Sequence, residues 1–450
     1  IGYAALLNHT TGGYNIAIGK NTMYDTDAGS TSLGSQHNIF IGLSAGGGIW
    51  ADAASNYNVG IGNYSMDAAL NGALNNTALG HYTLSSLTEG DSNVAIGYNA
   101  GGSLTTGGTN ILIGRNAGSS GTDLAYSVII GTYAGDAINT NNSQGSVLIG
   151  YEAGTNLTDG VNSLIGYYAG RYLSTQGYNT MYGFEVGQYM NGSSNTFIGY
   201  YAGRGSSTSA PYGNGGNNVA LGREALKAIS SGSYNVAIGR DSLKIATDGD
   251  HNIALGYSSG VALTSGDDNV LIGKNTAINL STGTNNIAIG ENALYLENSG
   301  TYAIAIGYRA GYKNRISGTN YNTFMGYNAG REVTTGNHNT FLGNHAGYGV
   351  DGSDADNNVA IGSYSLVNIT GNNNIAIGYE AGRYASGSSN TFVGYASGKG
   401  GTTSEPFSSG QNNTALGYQA LTGFTTGGAN NAFGNGAGQS ITSGNNNVAI

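Results

Sequence analysis

The chain has 450 residues, among them 80 Gly, 33 Tyr, 2 Pro and no Cys. Only 9% are charged and the formal net charge is -10 at pH 7, which excludes the basic stripe that nucleic-acid phosphates require and argues against an anionic membrane surface. No disulfide framework, thiolate metal site or Cys nucleophile is available, no apolar run of about 18 residues marks a membrane span, and 39% hydrophobic residues, regularly placed, are too many for a disordered chain.

The chain opens on Ile1-Gly2-Tyr3, already inside a motif that then recurs to the other end: Asn-x-x-[Ile/Leu/Val]-Gly, about once every 17 residues. Its closing glycines are evenly spaced at Gly80, Gly97, Gly114 and Gly131, and again at Gly222, Gly239, Gly256, Gly273, Gly290 and Gly307. The chain closes on Asn447-Val448-Ala449-Ile450, one residue short of the motif Gly. Both ends read as cuts within a repeat, so a segment of a longer chain is expected, and no signal peptide is visible at Ile1.

One clean unit runs from Asn235 to Gly249. Asn235-Val236-Ala237-Ile238-Gly239 predicts a short strand whose Val236 and Ile238 enter the core while Ala237 faces out. Gly239 permits a bend that a side chain would block. Arg240-Asp241-Ser242-Leu243 predicts a second short segment returning Leu243 to the same core, and 246–249 has turn chemistry. Such a unit is too short for a helix plus a strand. It predicts an all-β fold: a parallel β-solenoid, or β-roll, of about 25 short rungs spaced about 4.8 Å apart, which would make a rod on the order of 120 Å long. The array reads as one continuous domain over 1–450, since each repeat touches only its neighbours. Burial would come from stacked aliphatic columns, and the repeated Asn would form a hydrogen-bonded ladder along the axis.

Three steps are long: Gly19 to Gly42, Gly199 to Gly222 and Gly394 to Gly417. The last two hold the only prolines, Pro211 and Pro406, and their surroundings match: Asn195-Thr196-Phe197-Ile198-Gly199-Tyr200 against Asn390-Thr391-Phe392-Val393-Gly394-Tyr395. A second-order repeat follows, roughly 19–198, 199–393 and a partial 394–450. Protruding loops are expected at 206–216 and 402–411, and a smaller one at 24–36.

The units Asn-x-[Val/Ile]-Ala-Ile-Gly-x-x-Ala, as at Asn93-Val94-Ala95-Ile96-Gly97, resemble the head repeats of trimeric autotransporter adhesins. The longer form Asn413-Thr414-Ala415-Leu416-Gly417-Tyr418-Gln419-Ala420-Leu421 is also similar to repeats of phage tail-fibre and related surface proteins. The resemblance spans the full chain as a repeat type, although the unit is about three residues longer than the adhesin one. It implies a left-handed roll and a homotrimer. Ala95, Ala237, Ala254, Ala288 and Ala376, read as an outward column of small residues, are the candidate protomer contact.

Chemistry is sparse. Gly42-Leu43-Ser44-Ala45-Gly46 and Gly256-Tyr257-Ser258-Ser259-Gly260 fit a nucleophile elbow, but both are ordinary versions of the repeat. His9, His37, His81, His251, His338 and His345 lack paired metal-ligand spacing. The acidic turns at Asp248/Asp250, Asp267/Asp268 and Asp351/Asp354/Asp356 read as polar turns rather than calcium sites. No catalytic residue, metal or cofactor is expected. The surface signal is Tyr after the motif Gly: Tyr98, Tyr151, Tyr167, Tyr200, Tyr257, Tyr308, Tyr327, Tyr379, Tyr395 and Tyr418. These form either an adhesive stripe or a packing stripe. The sequence thus predicts a non-enzymatic, extracellular fibre or filament shaft on a cell or virion surface. It would associate with copies of itself and lack membrane insertion in this segment. The alternatives are a glycan- or surface-binding head and, behind it, a tailspike-like glycosidase with paired carboxylates.

Overall fold

The computed structural model describes residues 1–26, 34–50, 53–139, 143–206, 212–405 and 407–450. These form an all-β parallel solenoid, with no helix among the described residues. The chain divides into two compact units, one of Ile1–Glu224 with Ala228–Ser231, the other of Ala225–Lys227 with Gly232–Ile450.

In the first unit, three- and four-residue strands from Ile16–Ile18 to Val219–Leu221 each pair in parallel with the next. The register keeps motif on motif: Val94, Ala95 and Ile96 lie beside Ile111, Leu112 and Ile113. The second unit repeats the arrangement from Val236–Ile238 to Val448–Ala449. It adds a two-stranded parallel sheet of Ser299–Thr301 and Ser317–Thr319.

The motif Gly is set by two constraints at once. Gly166 has φ +140°, and a Cβ there would lie 2.0 Å from the carbonyl oxygen of Gly183 on the next rung. The predicted bend at Gly239 is of the same kind, with φ +127° and a Cβ 2.5 Å from the Gly256 oxygen.

Two expectations within the unit are corrected. Where two short strands per rung are expected, most rungs have one, the rungs of Ser299–Thr301 and Ser317–Thr319 being the exceptions. The segment after the motif Gly is a turn in which Asp241 and Leu243 take left-handed φ of 59° and 47°. The facing of the strand is also reversed. Ala237 is fully buried while Val236 and Ile238 face outward, Ile238 being 38% exposed. The reason lies two residues upstream. Alternation places the motif Asn and the central strand residue on the same side, and the Asn is held inside by its hydrogen bonds. Asn93 donates its backbone N–H (2.9 Å) and its amide nitrogen (3.0 Å) to the Asn76 side-chain oxygen, and the same nitrogen reaches the Gly107 carbonyl at 3.0 Å. The expected Asn ladder is therefore present. It fixes which face is inner, and satisfies buried turn carbonyls that an aliphatic residue would strand.

The core is narrow and its volume is shared between two positions. Where the central strand residue is large, the fourth residue after the motif Gly is small: Ala at Leu271/Ala277, and Gly in Phe197/Gly203, Phe341/Gly347 and Phe392/Gly398, where a Cβ would lie 2.1–2.3 Å from the ring. On a number of rungs where the strand residue is Ala, that fourth position holds Leu, as in Ala78/Leu84, Ala237/Leu243 and Ala288/Leu294, all fully buried. Rungs small at both places sit between large neighbours. At Ala254/Gly260 the space is taken by Leu243 and Leu271, which lie 2.9 and 2.6 Å from where a Gly260 Cβ would be.

The expected loops fall partly outside the described residues, namely 27–33, 207–211 and 406. The described parts of the two Pro-containing insertions pair back onto the preceding rung through isolated parallel bridges, Met190 with Gly213 and Ala385 with Ser408.

Candidate interaction surface

Because the Asn and the central strand residue point in, four columns point out. They are the residue before the Asn, the two outer strand residues and the residue after the motif Gly. The outer strand residues are aliphatic on most rungs. In the first unit Ile16, Ile18, Ile61, Leu79, Val94 and Ile111 are exposed, and in the second Ile238, Ile253, Leu342, Ile375, Ile377 and Leu416. Single exposed aliphatics are ordinary, whereas contiguous ones are not. At roughly 60 Å² each, either set, joined by its partly exposed neighbours and flanking rings, reaches the few hundred Å² beyond which a patch on a soluble monomer marks an interaction site.

This finding corrects the protomer-contact residues. Ala95, Ala237, Ala254, Ala288 and Ala376 are fully buried inside the coil and cannot touch another protomer. The outward strand face instead carries two columns that are aliphatic on most rungs and interrupted by Thr at places such as Thr77, Thr180 and Thr323.

Aromatic rings border it on both sides. After the motif Gly, Tyr151 stacks on Tyr167 (centroids 5.4 Å), Tyr167 on Phe184 (5.0 Å) and Phe184 on Tyr200 (5.4 Å), with interplanar angles of 7–15°. Tyr308 stacks on Tyr327 at 5.2 Å, and Tyr379, Tyr395 and Tyr418 make a third stack at 5.4 and 5.1 Å. Tyr98 instead meets Tyr82 edge-on, and the Arg240 guanidinium lies 5.6 Å over Tyr257. Eight of the ten predicted tyrosines thus fall into three stacks. Phe184, which occupies the same place, was missed because only Tyr was counted.

The second aromatic column, before the Asn, was also missed. Tyr14, His37 and Tyr57 stack at 4.9 and 5.2 Å, Tyr234 and His251 at 5.0 Å, and Tyr302 and Tyr321 at 5.6 Å. All hold left-handed φ between 49° and 64°. The signal was the recurrence of Tyr or His one residue ahead of the motif Asn, at Tyr14, His37, Tyr57, Tyr178, Tyr234 and His251. In the stacks, ring faces are turned to each other on successive rungs. Each pair contributes about 0.5–1.5 kcal/mol. Hydrogen bonding to Tyr200 pushes the neighbouring Tyr201 phenol up to about 12.

Ser44 and Ser258 occupy the left-handed turn position that Asn99 and Glu152 hold on other rungs. Among the described residues no three His, Asp or Glu side chains group as a metal site, and no helix is long and apolar enough to cross a membrane.

The chain matches no protein-family model and no curated protein.

Proposed function

We propose that this chain is a non-enzymatic structural fibre element, displayed outside a cell or virion, that associates with copies of itself through its outward aliphatic columns. The observation that carries this reading is the exposure of aliphatic outer strand residues on most rungs of each unit. Such a surface stays in water at a cost of about 25 cal/mol per Å². Its axial spacing matches another solenoid of the same rise better than an irregular globular partner, and the lack of charge in the columns removes any penalty for pairing like with like. Homotrimer is the assembly implied by the resemblance of the repeat to adhesin heads. The low charge and the absence of Cys are compatible with an extracellular setting.

The deciding experiment measures mass in solution by sedimentation for the native chain and for Ile111→Lys, Ile238→Lys and Ile375→Lys. The native chain is expected to sediment as an oligomer. The three lysine substitutions, which face water in the single coil, are expected to yield monomer with an unchanged β-type circular dichroism spectrum. A native chain that is monomeric at tens of micromolar would refute self-association.

A second reading, a head that binds a glycan, is favoured by one cleft that departs from the repeat.

A further inference from the structure

Identical rungs make identical surfaces, so a unique site requires a rung that breaks the pattern. Three departures meet in the second unit. The core column that holds Leu263 and Leu280 continues as Glu297 and Asn314, both fully buried. The Asn ladder is broken by Ala303. The step from Gly307 to Gly326 carries two extra residues, and its additional strand Ser317–Thr319 pairs with Ser299–Thr301 of the rung before.

Glu297 ties these changes together. Its Oε1 accepts from the backbone N–H groups of Asn298 (3.0 Å) and Gly300 (2.9 Å), and its Oε2 from Ile316 N–H (3.4 Å) and the Asn320 amide nitrogen (3.0 Å). The Asn320 side-chain oxygen accepts the Asn322 N–H at 3.1 Å, replacing the acceptor that Ala303 lacks. A carboxyl group in an aliphatic column is costly unless its hydrogen bonds are made, and here four donors reach it that a Leu would leave without this acceptor. Its effect is to tie together the segments around the two extra strands, whose first residues, Ser299 and Ser317, lie in the lining of a cleft of about 590 Å³. That volume lies in the range of small-ligand sites.

Arg315, Ser299, Ser317, Asn298, Asn279 and Leu296 line the cleft. Asn279 and Asn298 are partly engaged: the Asn279 amide nitrogen donates to the Tyr295 carbonyl, and the Asn298 side-chain oxygen accepts from Ser281. Arg315 is the one charged residue of the lining, and it is exposed. A planar guanidinium matches a carboxylate through paired hydrogen bonds, hydroxyl and amide groups match sugar hydroxyls, and Leu296 and Ile316 are the apolar residues of the lining. We propose that this cleft binds a carboxylate-bearing, hydroxyl-rich ligand, an acidic sugar residue of the uronate type, with Arg315 holding the carboxylate and Ser299 and Ser317 the hydroxyls.

The proposal gives the ligand class for the glycan-head reading and is independent of self-association, which is measured separately by mass. The test is titration calorimetry of the native chain with free glucuronate, with a glucuronate-terminated oligosaccharide and with the neutral glucose counterparts of both. Acidic probes are expected to bind, and neutral ones at least about tenfold more weakly, the loss of one charge-assisted pair. Arg315→Ala should abolish that preference and Arg315→Lys retain part of it; both substitutions are at an exposed position and leave Glu297 intact. Tighter binding of the oligosaccharide than of the free acid would place the source in a glycan chain, and equal binding in a free acid; either outcome supports the ligand class. Equal binding of acidic and neutral probes, no binding of either acid at 20 mM, which is about tenfold above a weak sugar affinity, or an unaltered Arg315→Ala would overturn it.

Discussion

At the scale of single residues, the core works as a volume exchange between the central strand position and the fourth residue after the motif Gly. Phe197→Ala is expected to cost about 3–5 kcal/mol of local stability through the cavity it leaves. Gly203→Leu alone should cost about 1–3 kcal/mol, because a Cβ at Gly203 would lie 2.3 Å from the Phe197 ring. The double substitution recreates the Ala237/Leu243 arrangement, where Leu243 accepts φ 47° close to the 53° of Gly203. It is expected to recover most of both losses, read by hydrogen exchange of amides in the affected rungs. Ala237→Trp, which an outward Ala would tolerate in a monomer, is expected to unfold its rung at any oligomeric state, since Ala237 is fully buried. Glu297 brings a pH dependence. Burial holds its carboxyl above the ordinary 4.5, outweighing the backbone N–H groups that pull it down. Over the window above 4.5 the unfolded chain has already lost its proton while the native chain retains it. The contribution of Glu297 is therefore full below 4.5 and declines as pH rises through the raised native value. Thermal melts of the native chain should lose stability across that window, and Glu297→Gln should remove that part of the slope.

At the scale of the element, the rung is held less by its three-residue strand than by the amide that precedes it. Asn252 accepts two buried hydrogen bonds from Asn269, and its amide nitrogen reaches the Gly266 carbonyl at 2.7 Å, the Asp250 carbonyl at 3.0 Å and the Asn235 side-chain oxygen at 3.1 Å. Asn252→Ala leaves the Asn269 N–H and the Gly266 carbonyl without partners, at about 1–3 kcal/mol each, and should raise amide exchange at Asn269 far more than at rungs several steps away. Ala303 survives the same replacement only because Asn320 supplies the missing acceptor at Asn322. Asn320→Ala is therefore expected to open the rung at Asn322, whereas Ala303→Asn should not stabilise a place whose partners are already engaged.

At the scale of the whole molecule, each rung contacts its neighbours, so stability within a unit is a sum of local terms rather than one cooperative number. A lesion such as Phe341→Ala should lower exchange protection on adjacent rungs and fade along the second unit. If the aliphatic columns close against other copies, melting temperature should rise with protein concentration, and the Ile238→Lys variant should lose that dependence.

The period, the all-β solenoid class, the bend at each motif Gly and the Asn ladder were legible in the sequence, because each depends on a residue type recurring in register. The aromatic stacks were half legible: the Tyr after the motif Gly stood out, while Phe184 and the Tyr/His column before the Asn did not. The facing of the strand was not legible, because hydrophobicity by itself placed the bulkier Val236 and Ile238 inside. Nor was the cleft, although Glu297 and Ala303 stood in plain view as departures from their columns. Local chemistry and periodicity by themselves determined that this chain winds into stacked parallel rungs. Only the tertiary structure decided which side of each strand is inner. That choice belongs to a buried amide reaching carbonyls about 14 residues away, a contact that exists only once the coil has closed.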